Sequence, residues 1–421
     1  MSLDRSLGLG MGLFMAVMFA AVSAAQASFG FLWSGGHARR LPPHRDPRTI
    51  HKYTDQGLEG LRKLGDKLAD DLIVTIAERG DGAVEEFYRL LLTKKSFDVD
   101  DEDYAGLDYI DDLRGFDLAV KELGIGSKAR LTRAGKFFKL HLFKIMVILS
   151  TSSLLEAYAC ANGVQVLSRT GYLSKDTNRR LKETLQFVMY VNEPNAFEEM
   201  QGGKGLAAIM RVRLMHGCIR WIIRKRDADW RDDVWGAPIN GEDLLGMLVG
   251  FSAVVISGLS ELDVTLTTEE VEDHIYLWNE VGRLLGAGTK WLPADLGEAL
   301  ALVGAVKSRQ QRYSPEGESM TKALLAYHRA VLGDLVDVAT GAMRRLAGDY
   351  ICDMLGVPDS EYADRSWMHD FVFRVLLWWG DKLITYDGLD VRDVTTGKLQ
   401  KYEAYDIPRS LWSVVFPESY A

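Results

Sequence analysis

The chain has 421 residues, of which 47% are hydrophobic and 26% charged; these are values of a globular protein and exclude a chain that is disordered throughout. Its formal net charge of −9 argues against nucleic acid as the main partner, because nucleic-acid-binding domains carry a basic surface. Its three cysteines are widely spaced and form no C-x-x-C motif, which argues against both a disulfide framework and a structural zinc site.

Residues 1–36 are predicted to be a targeting segment. Residues 6–36 carry no charge, and residues 7–25 are almost wholly apolar or small. They suit either a membrane anchor or a signal peptide cleaved after Ala25-Gln26-Ala27. The positive-inside rule favours an anchor with the body on the cytoplasmic side, because basic residues follow the segment: Arg39, Arg40, Arg45, Arg48 and Lys52. We therefore expect a membrane-anchored protein, with secretion after signal cleavage as the alternative.

Hydrophobic periodicity predicts an all-α protein with three parts after the targeting segment. Residues 37–134 are predicted to form an N-terminal helical extension, residues 135–350 a helical core and residues 351–421 a C-terminal extension packed on that core. Within the first part, residues 55–95 have the spacing of helices. Residues 96–115 are acidic and turn-rich, and we expect them to form a surface excursion.

Helical spacing of apolar residues predicts the helices of the core: residues 137–158, 177–192, 204–226, 269–285 and, as one or two helices, 318–348. Residues 247–259 are apolar on all sides, which is typical of a core helix. The tail after Gly380 has the pattern of a short hairpin. The chain contains no G-x-G-x-x-G after a strand, no P-loop, no H-E-x-x-H and no G-x-S-x-G motif.

One helix carries a histidine between two arginines. Arg213, His216 and Arg220 are spaced i, i+3, i+7 and therefore lie along one side of the helix, among mostly apolar residues. A dianionic ligand with a central metal would satisfy all three side chains. Haem has this chemistry, with iron on the imidazole and propionates on the guanidinium groups. The structural alternative is a core histidine with arginines that extend their charge to water.

Five segments in order resemble one family, that of the MpaB-type oxygenases and the latex-clearing rubber oxygenases. They are residues 163–171, 179–184, 211–220, 235–240 and 277–286. The resemblance implies that residues 135–350 are an all-α catalytic core that binds one haem b. It also implies an oxygenase that uses dioxygen to cleave an alkene in an apolar, isoprenoid-like substrate.

The resemblance also implies roles for single residues. His216 matches the proximal iron ligand, and Arg213 and Arg220 match the arginines that flank it and bind the cofactor. Arg180 and Thr184 match the R-x-x-K-T motif of the rubber oxygenases, which gives them a catalytic role on the distal side. Their i, i+4 spacing places them on one helix face.

The distal motif departs from the family at its lysine. Glu183 stands in its place, and Lys182 is one residue away, which turns its side chain by about 100° around the helix. We therefore do not assign Lys182 as a distal iron ligand. The sixth coordination position stays open, water-bound or otherwise filled.

Glu156 is our candidate for the carboxylate base that the family uses near the distal pocket. It lies in the apolar segment 154–158, where burial would raise the pKa of its carboxyl and suit proton abstraction. A hydrogen-bonded structural role is the alternative. Asn240 is predicted to cap the helix that follows it, together with Asp243. His141 is a remote second candidate for the iron ligand, and Cys218 is predicted to fill the core.

The sequence thus predicts a membrane-targeted haem b oxygenase with an apolar small-molecule substrate and dioxygen, and with His216 on the iron. Two alternatives stay open. One is a haem peroxidase or monooxygenase, and the other is a non-catalytic helical haem-binding protein.

Overall fold

A computed structural model describes residues 41–363, except residues 81, 95–96, 170–176, 194, 199–202 and 334–335 and the side chains of residues 177–180, 182 and 331. The predicted targeting segment and the hairpin predicted after Gly380 lie outside the described residues. Every regular element of the described residues is a helix, which confirms the all-α prediction.

The α-helices follow one another in this order: α1 (Asp55–Arg62), α2 (Lys67–Ala77), α3 (Ala83–Thr93), α4 (Glu102–Ala105), α5 (Ile110–Glu122), α6 (Lys128–Leu140), α7 (Leu142–Ile148), α8 (Leu154–Ala159), α9 (Val164–Arg169), α10 (Thr177–Val191), α11 (Gly205–Arg226), α12 (Asp232–Trp235), α13 (Gly241–Phe251), α14 (Ala253–Glu261), α15 (Thr268–Leu284), α16 (Leu296–Gln310), α17 (Pro315–Leu332), α18 (Val336–Ala347) and α19 (Asp349–Met354). A π-helical turn (Leu149–Ser153) joins α7 to α8. Short 3₁₀ turns lie at Pro47–Thr49, Thr289–Trp291 and Glu361–Ala363.

Local sequence sets several helix ends. Asn240 caps α13, because its Oδ1 accepts the backbone N–H of Asp243 at 3.0 Å, which confirms the predicted cap. Thr267 and Glu270 form a capping box at the start of α15, in which each side chain accepts the other residue's backbone N–H. Gly286 follows the end of α15 with φ +91°, a conformation that favours glycine.

Two apolar stretches are interrupted where the sequence predicts continuous helices. A break at His141 separates α6 from α7, and Ser252, with φ −109° and ψ −82°, separates α13 from α14. Beside the second interruption, the Ser153 hydroxyl of the π turn donates to the Gly250 carbonyl at 2.7 Å, a tertiary contact that a local pattern does not contain. Among the described residues, two stretches are long and apolar enough to cross a membrane, with 44% and 61% of their windows buried inside the fold: Leu142–Ala159 and Gly241–Glu261.

The main hydrophobic core joins helices from both sides of residue 135. Helix α2 packs along α11, and α6 packs along α15. Buried residues of α14, among them Ile256 and Leu259, belong to this core, as expected for a core helix. Cys218 of α11 is fully buried there, which confirms its predicted place. The core is therefore continuous across the predicted boundary at residues 134/135.

A second cluster joins α8 to the C-terminal helices. Its members include Leu155 of α8, Leu324 of α17, Met343 of α18 and Ile351 of α19. Helix α19 runs across the predicted boundary at residues 350/351, so the described start of the C-terminal part is built into this cluster.

The prediction of a surface excursion over residues 96–115 is wrong for its aromatic residues. Phe97, Tyr104 and Tyr109 are buried, and the rings of Phe97 and Tyr104 lie 5.4 Å apart. The acidic residues alternate with these aromatics and start turns, as when Asp101 accepts the backbone N–H of Asp103 at 3.0 Å. The density of charged residues alone therefore predicted exposure for a segment whose aromatic residues are buried in the core.

Two buried histidines are expected to make stability depend on pH. Burial lowers the pKa of His274 and of His328 to about 4, below the value of 6.5 for an exposed histidine. Between these values the unfolded chain binds protons that the folded chain does not, so stability rises with pH and is lost on acidification. We expect roughly 2 kcal/mol less stability per histidine at pH 5 than at pH 7, measured by urea unfolding.

The effect can be assigned with two substitutions. In His274→Gln the difference in unfolding free energy between pH 7 and pH 5 is expected to shrink by roughly 2 kcal/mol. His51 is exposed, so His51→Gln should leave the difference unchanged. An unchanged difference in His274→Gln would contradict the prediction.

Candidate functional site

The candidate site is built around α11, the longest described helix. Its first turns contain strong helix formers, and its last turn carries Arg224, Lys225 and Arg226, which complement the helix dipole. His216 lies in the middle of the helix and is half-buried. The imidazole is therefore attached to a rigid element of the fold.

His216 belongs to a half-buried apolar stripe on α11. The other members are Val212, Met215, Ile219 and Ile222, all half-buried. At about 100° per residue these five residues lie within an arc of about 120°. A half-buried apolar surface with one imidazole suits the face of a flat apolar ligand that takes a nitrogen donor.

Arg213 and Arg220 point to helix α2, on a neighbouring side of α11. Arg213 donates from Nε to Asp66 Oδ2 at 2.5 Å and from a terminal nitrogen to Asp66 Oδ1 at 2.8 Å. Arg220 donates from Nε to Asp70 Oδ1 at 2.6 Å. We call these two ion pairs, Asp66–Arg213 and Asp70–Arg220, the α2–α11 clamp. Both arginines thus bind carboxylates of the protein, where the sequence predicts carboxylates of a ligand.

The two arginines differ in the donors that remain. The third nitrogen of Arg213 donates to the Leu284 carbonyl at 3.0 Å, so all its nitrogens have partners. Arg220 makes a long contact of 3.4 Å to the Ile239 carbonyl, and its buried Nη2 has no hydrogen-bond partner. Of the two, Arg220 alone has a buried donor that a ligand carboxylate would satisfy.

Burial shapes the electrostatics of the clamp. Arg213 and Arg220 are 5% and 3% exposed. Burial raises the pKa of the Asp70 carboxyl above its ordinary value, although Arg220 opposes this shift. A buried ion pair of this kind carries a desolvation penalty that offsets much of its Coulomb attraction.

Glu156 is buried in α8, and its carboxylate is held by α16 and the residue that follows it. Lys307 donates to its Oε1, and the Gln311 amide donates to its Oε2 at 2.7 Å. The carboxylate is thus not in the purely apolar surroundings that the sequence suggests. Both oxygens serve contacts that fix α8 to the C-terminal end of α16.

These contacts predict a stability role for Glu156. Glu156→Gln and Lys307→Met should each lower the free energy of unfolding by about 1–2 kcal/mol, because each removes the same charge-assisted hydrogen bond. The double variant should lose little more than either single one. Glu122 is exposed, so Glu122→Gln is a matched control with no expected effect. A base would instead show activity lost in Glu156→Gln and retained in Lys307→Met.

The predicted distal residues lie on α10. Arg180 is in the first turn of this helix, and its side chain is outside the described part of the structure. Thr184 is exposed, and Glu183, which replaces the family's lysine, is half-buried. Helix α10 packs against α11 and α17, so the helix that carries the distal motif lies against the helix that carries His216. Glu156 lies on α8, which packs against other helices, α9 and α17 among them.

Asp66 and Asp70 are site residues that the sequence reasoning missed. Their i, i+4 spacing at the start of a helix was a visible signal, since it places two carboxylates on one face. Their partners lie 147 and 150 residues away in the sequence. No local pattern connects them.

Known proteins resemble this chain in sequence and in fold. The family described as "ER-bound oxygenase mpaB/B'/Rubber oxygenase, catalytic domain" matches residues 144–380. The rubber oxygenase of Streptomyces sp. (strain K30) is 24% identical over 307 residues, which cover 71% of this chain and 72% of that protein. The solved structure of latex clearing protein LCP in the closed state has the same fold, with a TM-score of 0.60 at 19% identity over 84% of this chain and 88% of that one. The chain therefore belongs to the family of MpaB-type and rubber oxygenases, and it is an oxidoreductase.

Proposed function

We propose that the chain is a haem b-dependent oxygenase with His216 as the proximal iron ligand. Its reaction is the dioxygen-dependent cleavage of an alkene in an apolar, isoprenoid-like substrate. The observation that carries the proposal is the half-buried histidine on the apolar stripe of α11, inside the region that matches the family.

The residues of the stripe fit haem b. A neutral imidazole is a common iron ligand, and Val212, Met215, Ile219 and Ile222 offer the apolar surface that a porphyrin face requires. The unpartnered Nη2 of Arg220 supports a contact to a propionate. Arg213 supports the site differently, since its donors are engaged by Asp66 and Leu284.

Haem b, when bound, would supply the redox chemistry of iron for the reaction with dioxygen. In the proposed mechanism the protein holds this iron through His216 and excludes water with the apolar stripe. Arg180 and Thr184 are proposed to orient dioxygen or substrate on the distal side, which is supported by the packing of α10 against α11. Glu156 has the weaker support as a base, because both its oxygens already accept hydrogen bonds.

The proposed substrate is apolar, and the proposed location suits it. An N-terminal anchor over residues 7–25 would keep the protein beside lipid-soluble substrates. Secretion after cleavage at Ala25-Gln26-Ala27 is the alternative. Fractionation of cells that express the full chain distinguishes a membrane-bound protein from a protein in the medium.

The test combines cofactor analysis with labelled dioxygen. The full chain should show a Soret band, and a pyridine haemochrome assay should give about one haem b per chain. With an isoprenoid oligomer and ¹⁸O₂, both label atoms should appear in carbonyl products without a stoichiometric reductant. One label atom with reductant consumption would indicate a monooxygenase, and a requirement for hydrogen peroxide would indicate a peroxidase. A protein that binds no hemin would overturn the proposal.

A further inference from the structure

We infer that Asp66 and Asp70 are positioning residues for His216, and that helix α2 is a working part of the oxygenase site. The inference rests on the proposed function of His216. Helix α2 precedes the region that matches the family model, which begins at residue 144, and none of the five segments that resemble the family includes these carboxylates.

The geometry of the clamp brackets the histidine. Arg213 lies three residues before His216 and Arg220 four residues after it, so the ion pairs hold α11 about one turn to either side of the imidazole. Asp66 binds Arg213 through both oxygens, which restricts rotation of the guanidinium. Two such contacts on one helix fix both its rotation and its axial position relative to α2.

Asp66 serves the clamp instead of its own helix. It occupies the N-cap position of α2, where an aspartate side chain ordinarily accepts a backbone N–H of the first turn. Here its side chain makes no capping hydrogen bond. Its carboxylate binds Arg213 instead. Helix α2 therefore lacks the stabilisation of an N-cap hydrogen bond, and the same side chain connects α2 to α11.

Glycines make room for both carboxylates. A Cβ on Gly286 would lie 2.8–2.9 Å from the carboxylate atoms of Asp66, and the φ of +91° at this residue also favours glycine. A Cβ on Gly65 would clash with the Asp70 carboxylate and lie 3.1 Å from Nε of Arg220. A side chain at either position would push an ion pair apart.

A strained residue stands beside the second ion pair. Ile239 has φ +50°, a conformation that is rare and costly for a β-branched side chain. Its carbonyl lies 3.4 Å from a terminal nitrogen of Arg220. The loop that contains it is held to α1, since the Ala237 N–H donates to the Arg62 carbonyl at 2.8 Å. The strained backbone of Ile239 and the Asp70–Arg220 ion pair thus lie side by side. Neither a strained residue nor a buried ion pair contributes much to the stability of a fold.

The test removes charge from each carboxylate while its shape is kept. Asp66→Asn and Asp70→Asn are compared with Asp71→Asn, a control on the same helix whose exposed side chain pairs with Lys67. The first readout is the rate at which diethyl pyrocarbonate modifies His216 in the haem-free full chain, followed by peptide mass spectrometry. His141 is also half-buried and serves as the internal reference.

In the Asn variants of the clamp we expect His216 to be modified several-fold faster, with the His141 rate unchanged. The second readout is the electron paramagnetic resonance spectrum of the hemin-loaded full chain. It should show more than one ferric species in the clamp variants and one in Asp71→Asn. We expect kcat to fall about 10-fold, with KM little changed.

Unchanged His216 modification and an unchanged resonance spectrum in the clamp variants would overturn the inference. Equal acceleration at His216 and His141 would also overturn it, because it would indicate general loosening. If Asp66→Asn does not fold, Asp70→Asn decides, since the Asp70 side chain is 31% exposed. If the wild-type chain binds no hemin, the proposed function fails, and the haem-free modification rates still decide the role of the clamp.

Discussion

Replacing His216 by alanine is expected to remove haem from the protein, so that the Soret absorption falls from about one haem per chain to background. A nitrogen of the imidazole is proposed to form the bond between the protein and the iron. The apolar contacts with the stripe on α11 are weaker and less directional than this bond. Loss of a direct ligand should weaken hemin binding by more than the 10–100-fold that is typical for loss of an outer contact to a metal ligand. Titration of the haem-free chain with hemin measures the change.

His141 provides the matched control for this experiment. It is also half-buried, and its ring packs against Phe137 with centroids 4.9 Å apart. Because it was the second sequence candidate for iron, His141→Ala tests the alternative directly. We expect this variant to keep its haem. Full haem binding by His216→Ala, or its loss in His141→Ala, would show that the ligand has been assigned to the wrong histidine.

Replacing Glu242 by glutamine is expected to lower the free energy of unfolding by roughly 3 kcal/mol. Glu242 is fully buried and accepts hydrogen bonds from Arg62 at 3.3 Å, Arg309 at 2.8 Å and Gln310 at 2.9 Å. It also holds the pKa of Arg309 above its ordinary value. Removing the charge leaves the buried Arg62 with one carboxylate, that of Asp243. Urea unfolding with an unchanged m-value measures the loss.

Glu59 is a control that distinguishes the effect of burying a carboxylate from the effect of pairing it with an arginine. It also binds Arg309, at 2.9 Å, but its side chain is 56% exposed. Glu59→Gln should therefore cost less than about 1 kcal/mol, as is usual for exposed ion pairs. Equal losses in the two variants would mean that burial of Glu242 contributes nothing to its effect.

The sequence predicted those parts of the fold that local rules control. The apolar positions of α15 recur at helical spacing, and they predict a helix over residues 269–285 where the structure has Thr268–Leu284. Asn240 caps α13 through a bond that spans three residues. In each case the interacting residues are close in the chain. The local sequence pattern is therefore enough to predict the helix or its cap.

Features with distant causes were not predictable. The interruption near Ser252 is accompanied by a hydrogen bond from Ser153 to Gly250, 97 residues apart in sequence. Tyr104 reaches the core through a segment whose charges predict exposure. The same holds for the site: the order of Arg213, His216 and Arg220 was visible, but the carboxylates that hold the arginines belong to a distant helix.

The sequence separation of the clamp has a consequence for how the protein folds. Asp66 and Arg213 are 147 residues apart, and Asp70 and Arg220 are 150 apart, so each pair closes a very long loop. Closing such a loop costs conformational entropy of the chain before the ion pair contributes any stability. We therefore expect these contacts to form late and to slow folding. During synthesis α2 leaves the ribosome well before α11 and must wait for its partner. A truncated version that starts at residue 144 would lack both aspartates, and we expect it to accumulate as a partly folded, aggregation-prone species.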